Sequence, residues 1–170
     1  MLTVLDIETT VSGEDRSPSP YLPDNYIVSV GWQQWGEDKP VEEYHCVKHN
    51  TQPSSKLFRD YLDEVLSWTS LLIGHNIKFD LSWLQECGFT YNGKIYDTMI
   101  YEYVKAGSRK ERRLDLSSCC KRYGITGKID EASALFHKGV GYEDMPWNVV
   151  EEYGRNDVDI TRQLYEAQNA

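Results

Sequence analysis

Four acidic residues lie in stretches of this 170-residue chain that are otherwise apolar. Asp6 and Glu8 end the first apolar run, Asp80 lies among aromatic residues, and Asp157 interrupts an apolar pattern near the C-terminus. An ionised carboxylate in an apolar setting is unfavourable unless it is paired or bound to a metal. Four such acids brought together would repel one another, and divalent cations are the natural compensation. The pattern therefore predicts a metal-dependent enzyme.

The spacing of the acids places each of them on a defined face of its element. Asp6 and Glu8 are two residues apart, so on a strand their side chains point to the same face. They end a strand expected at the centre of the sheet, where open α/β sheets bind ligands. Two acids at this spacing are also frequent by chance in a chain with 27 acidic residues, and a strand ending in polar turn residues is the plain alternative.

Asp80 and Asp157 belong to helical patterns. Asp80 lies on or beside the buried stripe that Phe79 and Trp83 indicate. The alternative for Asp80 is an exposed acid that interacts favourably with the helix dipole. Tyr153 precedes Asp157 by four residues, so the two share one helix face, although a tyrosine there is also typical of an ordinary core position.

The hydrophobic pattern predicts an α/β protein that forms one domain over residues 1–170. Strands are expected at residues 2–7, 26–35, 42–47, 71–73 and 94–96. Helices are expected at residues 54–68 with Ser54 or Ser55 as cap, 76–87, up to 104 with Asp97 or Thr98 as cap, 116–123 and 146–168. The predicted architecture is a mixed sheet covered by helices.

The composition excludes several classes of protein. No apolar run approaches the roughly 20 residues that a membrane span needs, and no signal peptide opens the sequence, so we expect a cytoplasmic protein without a membrane partner. The four cysteines lack zinc-site spacing. The net charge of −9 argues against a generic nucleic-acid binder.

One basic segment departs from the acidic average and admits two interpretations. It is either a solvated loop or a set of phosphate contacts, with Arg112 and Arg113 as candidates. Its basic residues are Lys105, Arg109, Lys110, Arg112 and Arg113.

Three segments that carry the acids together resemble the motifs of the DEDD (DnaQ-like) 3′–5′ exonucleases, in which three motifs supply four acids. The segments are residues 6–10, 74–80 and 153–161. Position 152, where the histidine form of the third motif has histidine, is Glu152, so the chain resembles the tyrosine subfamily with Tyr153. That subfamily includes the proofreading domains of family A DNA polymerases and RNase D-type RNA exonucleases, and Lys78 favours the polymerase type.

The resemblance implies a ribonuclease H-like fold, with a five-stranded mixed sheet flanked by helices, and a two-metal mechanism with Mg²⁺ or Mn²⁺. It assigns Asp6, Glu8 and Asp157 to the cation that activates water. Asp6 would bridge to a second cation held by Asp80, and Tyr153 would orient the water. Beyond these ligands, three residues are candidates for contacts with the substrate: Thr9 and Thr10 with the terminal nucleotide, and Asn76 with a phosphate.

The leading hypothesis is an exonuclease that acts on single-stranded DNA or DNA 3′ ends and releases nucleoside monophosphates. An RNA exonuclease with the same chemistry and a non-catalytic nucleic-acid-binding domain of the same fold are the alternatives. A polymerase or another replication protein is a possible partner. Family A polymerases carry a polymerising domain after this region, so the chain is expected to be either a free-standing exonuclease or an excised domain.

Overall fold

The computed structural model of the protein describes residues 1–36, 40–107, 112–127 and 130–170, and its strands form one five-stranded sheet. The strands are β1 (Leu2–Thr9), β2 (Ile27–Trp35), β3 (Val41–Cys46), β4 (Leu71–Gly74) and β5 (Lys94–Asp97). The described helices are α1 (Phe58–Trp68), α2 (Ile77–Glu86), α3 (Thr98–Lys105), α4 (Leu116–Arg122), α5 (Asp130–His137) and α6 (Trp147–Gln168).

The strand order is β3-β2-β1-β4-β5, with β1 at the centre. The first three strands form an antiparallel meander, whereas β4 runs parallel to β1 and β5 runs parallel to β4. The carboxyl ends of β1, β4 and β5 therefore lie at one edge of the sheet. The predicted α/β architecture with a mixed sheet flanked by helices is confirmed.

The alternation of side chains along β1 divides the core between two faces. Leu5 and Ile7 pack in a cluster with Leu62 of α1 and Trp83 of α2. Val4 points to the other face, where it packs with α6. Asp6 and Glu8 keep the phase of Val4, so β1 presents both acids to the face that α6 covers.

Asp97 joins the starts of two helices. Its Oδ1 accepts hydrogen bonds from the backbone N–H of Met99 at 2.9 Å and of Asn76 at 3.0 Å, and its Oδ2 accepts one from Ile77 at 3.1 Å. The first bond caps α3, which confirms one of the two predicted caps, and the other two satisfy donors at the start of α2. Asp97 thereby fixes α2 relative to β5.

Two expectations about helices were wrong. The helix expected from residue 54 begins at Phe58, and neither serine caps it. Ser55 instead bonds through its backbone N–H to the carbonyl of Cys46 at 2.8 Å, and its hydroxyl lies 3.1 Å from Nδ1 of His45. These tertiary bonds hold the segment against β3 in place of a helical turn. Helix α5 was not expected, because its short sequence has no clear start signal.

Helix α6 approaches the sheet closely through a tyrosine that fills a gap between two glycines. Tyr44 of β3 lies where a side chain at Gly31 of β2 or at Gly154 of α6 would have to lie. Its hydroxyl donates to the carbonyl of Val150 at 3.2 Å. This contact sets the position of the α6 turn that carries Tyr153. None of the helices in the described parts of the chain is long and apolar enough to cross a membrane.

Candidate active site

Strand β1 brings the first two acids to the ligand edge of the sheet. Asp6 pairs with Gly31 and Glu8 with Ser29 on β2, and the register shifts after Glu8. The shift ends regular pairing just beyond the second acid. Small neighbours on β2 leave room above the sheet for the two carboxylates and for α6.

Helix α6 adds the third acid. One ligand oxygen from each of Asp6, Glu8 and Asp157 lies within 4.8 Å of the others. Such spacing lets three carboxylates share one cation, whose oxygen ligands typically lie about 2.0–2.6 Å away. The structure thus brings together acids that lie about 150 residues apart in the sequence.

The electrostatics of this group favour a bound positive charge. Burial, followed by the nearby charge of Asp157, raises the pKa of Asp6 to about 7. Burial and the charges of Asp6, Asp157 and Asp80 raise the pKa of Glu8 well above its usual range. A hydrogen bond between the two carboxyl groups lowers the pKa of Asp6 and raises that of Glu8, so the shared proton lies on Glu8. A divalent cation would replace this proton.

Asp80 is placed by a backbone donor that the sheet leaves unpaired. Strand β4 pairs with β1 only as far as Val4, opposite Ile73. Farther along β1, the N–H of Ile7 donates instead to Oδ1 of Asp80 at 3.1 Å. Asp80 is only 3% exposed, which excludes the alternative of a solvated acid at the start of a helix.

The charge of Asp80 is felt by the other acids, although Asp80 lies outside the group within 4.8 Å. Burial and then the charge of Asp6 raise the pKa of Asp80 well above its usual range, while the hydrogen bond from Ile7 opposes that rise. An acid beside the group, but not in it, suits a ligand of a second cation or a ligand acting through water.

We predict that Asp80→Asn lowers nuclease activity by at least about 10- to 100-fold, the loss typical when a group supporting a metal site is removed. Asparagine keeps the carbonyl oxygen that can accept from Ile7, so the fold should survive. Because the substitution removes a buried negative charge beside other carboxylates, the metal-free protein should be as stable as wild type or more stable.

Thermal unfolding in EDTA and initial rates with divalent cation measure the two effects of Asp80→Asn. Asp63→Asn on α1 is the matched control, because Asp63 is an exposed helical acid. The control should match wild type in both measurements. A normal rate for Asp80→Asn would show that Asp80 has no part in the site.

Tyr153 lies beside the acids and is held by another ring. Its ring stacks on Tyr142 with centroids 5.9 Å apart and planes 26° apart. Burial, followed by the charges of Glu8 and Asp157, raises the pKa of the Tyr153 hydroxyl above its ordinary value. Tyr153 therefore keeps its proton at neutral pH, and it can position a water molecule by hydrogen bonding but cannot act as its general base.

The three smaller candidates for substrate contacts lie in different surroundings. Thr9 borders a cavity beside Glu8. The Thr10 hydroxyl accepts a hydrogen bond from the Tyr26 backbone N–H at 2.9 Å, so it helps to hold β1 to the start of β2. Asn76 is exposed at the carboxyl end of β4 and adopts a left-handed backbone conformation with φ of 62°. All three assignments stay predictions.

The described part of the basic segment is attached to the second acidic motif. Arg112 and Arg113 are exposed, and Nε of Arg113 lies 3.4 Å from Oδ2 of Asp115. Nε2 of His75, the residue before Asn76, lies 2.7 Å from the carbonyl oxygen of Leu114. This contact places the segment at the ligand edge of the sheet. The other two arginine and lysine candidates, Arg109 and Lys110, lie outside the described residues.

A cavity of about 270 Å³ opens beside Glu8. Its lining includes three residues that the sequence analysis did not identify: Arg16, Phe136 and Tyr142. Arg16 belongs to an irregular segment and Phe136 to the unexpected α5, so the sequence carried no signal that either residue meets β1. The cavity is an apolar recess directly next to the carboxylates.

The donor set fits a hard divalent cation. Every ligand candidate in the group is a carboxylate oxygen, and none of its members is a cysteine or a histidine. Oxygen ligands in a partly open site suit Mg²⁺ or Mn²⁺, whereas structural zinc sites mostly use sulfur and nitrogen.

Two solved structures share the fold of this chain. One is described as the apo form of a nuclease, with a TM-score of 0.66 and 14% identity, and the other as Brucella melitensis NrnC with bound Mg²⁺, with a TM-score of 0.62 and 15% identity. Each match covers 99% of this chain and 71% of the other chain. The likeness confirms a ribonuclease H-like fold. No curated protein sequence matches the chain.

A family model described as 3′–5′ exonuclease matches residues 23–168. The match contains the second and third acidic motifs and starts after the first, but the structure places Asp6 and Glu8 against Asp157 of the matched region. The match covers most of the chain. The protein is therefore a hydrolase that belongs to the DEDD-type 3′–5′ exonuclease family.

Proposed function

We propose that this protein is a metal-dependent exonuclease that removes nucleoside monophosphates from DNA 3′ ends by a two-metal mechanism. The observation that carries the proposal is the convergence of Asp6, Glu8 and Asp157 within 4.8 Å, beside buried Asp80 and Tyr153. The family depends on divalent metal and acts on nucleic acids, so the proposal adds the number of cations, the residue roles and the DNA substrate.

The acids would divide between two cations. Asp6, Glu8 and Asp157 would hold one, and Asp6 and Asp80 would hold the second. Two bound cations supply an activated water nucleophile at neutral pH and stabilise charge on the attacking and leaving oxygens. Because the acids are partly or fully buried, their charges act in an environment where electrostatic interactions are stronger than in water.

Tyr153 would orient the attacking water with a neutral hydroxyl. The stacked ring of Tyr142 limits the movement of Tyr153, and the close packing of Gly154 against Tyr44 fixes the helical turn on which it lies. Thr9 would contact the terminal nucleotide from the cavity beside Glu8, and Asn76 would contact a phosphate at the end of β4. Thr10 would act through its backbone, since its hydroxyl bonds to Tyr26.

Digestion of oligonucleotides labelled at the 5′ end tests this function. With Mg²⁺ or Mn²⁺, we expect a descending ladder of shortened DNA products, with nucleoside monophosphates as the released species. A ladder from RNA alone would replace DNA by RNA as the substrate. A folded protein that binds both nucleic acids but cuts neither would favour the non-catalytic alternative and overturn the proposal.

We also propose that the basic segment supplies phosphate contacts, which an acidic protein needs in order to bind a polyanion. On a single strand, each neutralised phosphate contributes a slope of about −0.7 to the plot of log affinity against log salt. If both residues touch phosphates, replacing Arg112 and Arg113 by alanine should flatten that slope by roughly 1 to 1.5 units and weaken binding to all sequences alike.

Binding of a labelled oligonucleotide in Ca²⁺ at several salt concentrations measures the slope for the Arg112 and Arg113 variant. Lys56→Ala is a control, because Lys56 is an exposed cation outside the basic segment. The rate at saturating substrate should stay close to wild type, since both arginines lie outside the carboxylate group. An unchanged slope would mean that the segment is a solvated loop.

We propose that residues 1–170 act as one exonuclease domain, because the sheet uses strands from Leu2 to Asp97 and α6 closes the site from the C-terminal part of the chain. A cytoplasmic location and a polymerase or other replication partner stay predictions from the sequence.

A further inference from the structure

A column of aromatic rings leads away from the carboxylates. Tyr142 stacks on Tyr153 on one side and on Phe136 on the other, where the centroids are 5.2 Å apart and the planes 25° apart. The guanidinium of Arg16 lies over the far side of Phe136, 4.4 Å from the ring centroid. Arg16 Nη1 also donates to the Phe136 carbonyl at 2.9 Å. Both faces of the Tyr142 ring are therefore covered.

The local backbone fixes Tyr142 in this place. Helix α5 ends at His137, and Gly139 adopts a φ of 91°, which suits glycine at a helix end. The N–H of Val140 then bonds to the carbonyl of Leu135 at 3.1 Å. Directly after Tyr142, the N–H of Met145 bonds to the carbonyl of Gly141 at 3.2 Å. Bonded turns on both sides leave the connection between α5 and α6 little freedom.

The hydroxyl of Tyr142 points towards the site and not into an apolar core. Tyr142 borders the cavity that opens beside Glu8. The side chains of Tyr142 and Tyr153 also form a hydrogen bond, and burial followed by the charge of Glu8 raises the pKa of Tyr142, so its hydroxyl stays neutral. A neutral phenol has one O–H that rotates about the C–O bond, and a hydrogen bond between two such groups fixes that rotation.

We propose that Tyr142 is a positioning residue of the exonuclease reaction, which fixes the orientation of the Tyr153 hydroxyl while the stack on Phe136 and Arg16 holds its ring. The inference rests on the proposed function, in which Tyr153 orients the attacking water. Tyr142 acts through Tyr153, and it has no contact of its own with the scissile phosphate.

A double-mutant cycle tests this role. Tyr142→Phe and Tyr153→Phe each keep a stacking ring and remove a hydroxyl. Removing the Tyr153 hydroxyl should lower kcat by about 10- to 1,000-fold, the usual range for acid–base and water-positioning groups. Tyr142→Phe should lower kcat by about 10-fold with little change in KM, because misorientation weakens a catalytic group without removing it.

Coupling between the substitutions separates positioning from a merely structural role. If Tyr142 acts through Tyr153, then Tyr142→Phe should have no further effect in the Tyr153→Phe background. Oligonucleotide affinity in Ca²⁺ and the unfolding temperature in EDTA should stay near wild type for both variants. Tyr96→Phe is the matched control: its ring also stacks on neighbours and its hydroxyl donates to Gln168 at 3.2 Å, but far from the acids, so kcat should not change.

The outcomes distinguish this inference from the proposed function. An active wild type with an unaffected Tyr142→Phe variant would overturn the inference alone. So would equal losses in the two backgrounds, or a Tyr142→Phe variant that fails to fold. A wild type that cuts neither DNA nor RNA would overturn the proposed function, and the inference with it.

Discussion

Excess EDTA should abolish nucleotide release by this protein, and Mg²⁺ or Mn²⁺ added in excess should restore it. The carboxyl groups of Asp6, Glu8 and Asp157 lie close together, and no basic side chain of the described residues belongs to their group. Without a cation the group keeps a proton on Glu8 and has nothing to activate water, because the Tyr153 pKa is too high for that role. Initial rates on a labelled oligonucleotide measure the effect.

Metal binding should also appear as a stability change that does not depend on catalysis. A ligand that binds only the folded state at about 100 times its Kd stabilises it by about 2.7 kcal/mol. Protons compete for the same carboxylates, so Mg²⁺ should raise the unfolding temperature more at pH 8 than at pH 5.5, where Asp6, with its pKa of about 7, is protonated. Activity that persists in excess chelator, with no stabilisation by either cation, would contradict a metal-dependent mechanism.

The sequence sufficed for the acids because each one conflicts with its local apolar pattern. Asp80 lies between aromatic residues on a buried stripe, and Asp157 interrupts the stripe of α6. Such conflicts are expected at functional sites, where local stability gives way to chemistry. The order of strands followed as well, since short connections favour a meander, and the structure has β1, β2 and β3 in that arrangement.

The parts of the site that depend on tertiary contacts could not be predicted. Nothing near Arg16 indicates that its guanidinium covers Phe136, which follows 120 residues later. The bond from Ile7 to Asp80 exists only because β4 is shorter than β1, and strand ends are the least certain part of a sequence-based prediction. Thr10 was expected near the substrate, but its hydroxyl meets Tyr26, a contact that only the pairing of β1 with β2 creates.

Asp6 has the central place among the carboxylates, so its neutral isostere should have a large effect on activity. We predict that Asp6→Asn lowers the rate by more than about 1,000-fold, beyond the roughly 10- to 100-fold typical of groups that merely support metal ligands. Initial rates at saturating Mg²⁺ and at saturating Mn²⁺ measure this loss. A rate within about tenfold of wild type would show that Asp6 is not a metal ligand.

The same substitution should stabilise the metal-free protein in a way that depends on pH. Folding raises the Asp6 pKa from 3.8 to about 7, so the folded state holds this proton more tightly than the unfolded chain does. The stability from this group is therefore fully present below about pH 4 and is lost as the pH rises through about 7. Asparagine has no such proton to lose, so Asp6→Asn should unfold at a higher temperature than wild type at pH 8 and at about the same temperature at pH 4.

Thermal unfolding in EDTA across that pH range measures the difference between Asp6→Asn and wild type. Asp24→Asn is the matched control, because Asp24 is an exposed acid outside the carboxylate group, and its difference from wild type should not grow with pH. An inactive Asp6→Asn variant that is less stable than wild type at pH 8 would mean that Asp6 supports the fold through contacts other than the repulsive ones. A variant that is both inactive and more stable at pH 8 would show that β1 carries an acid at a cost to stability, which is the expected mark of a residue kept for catalysis.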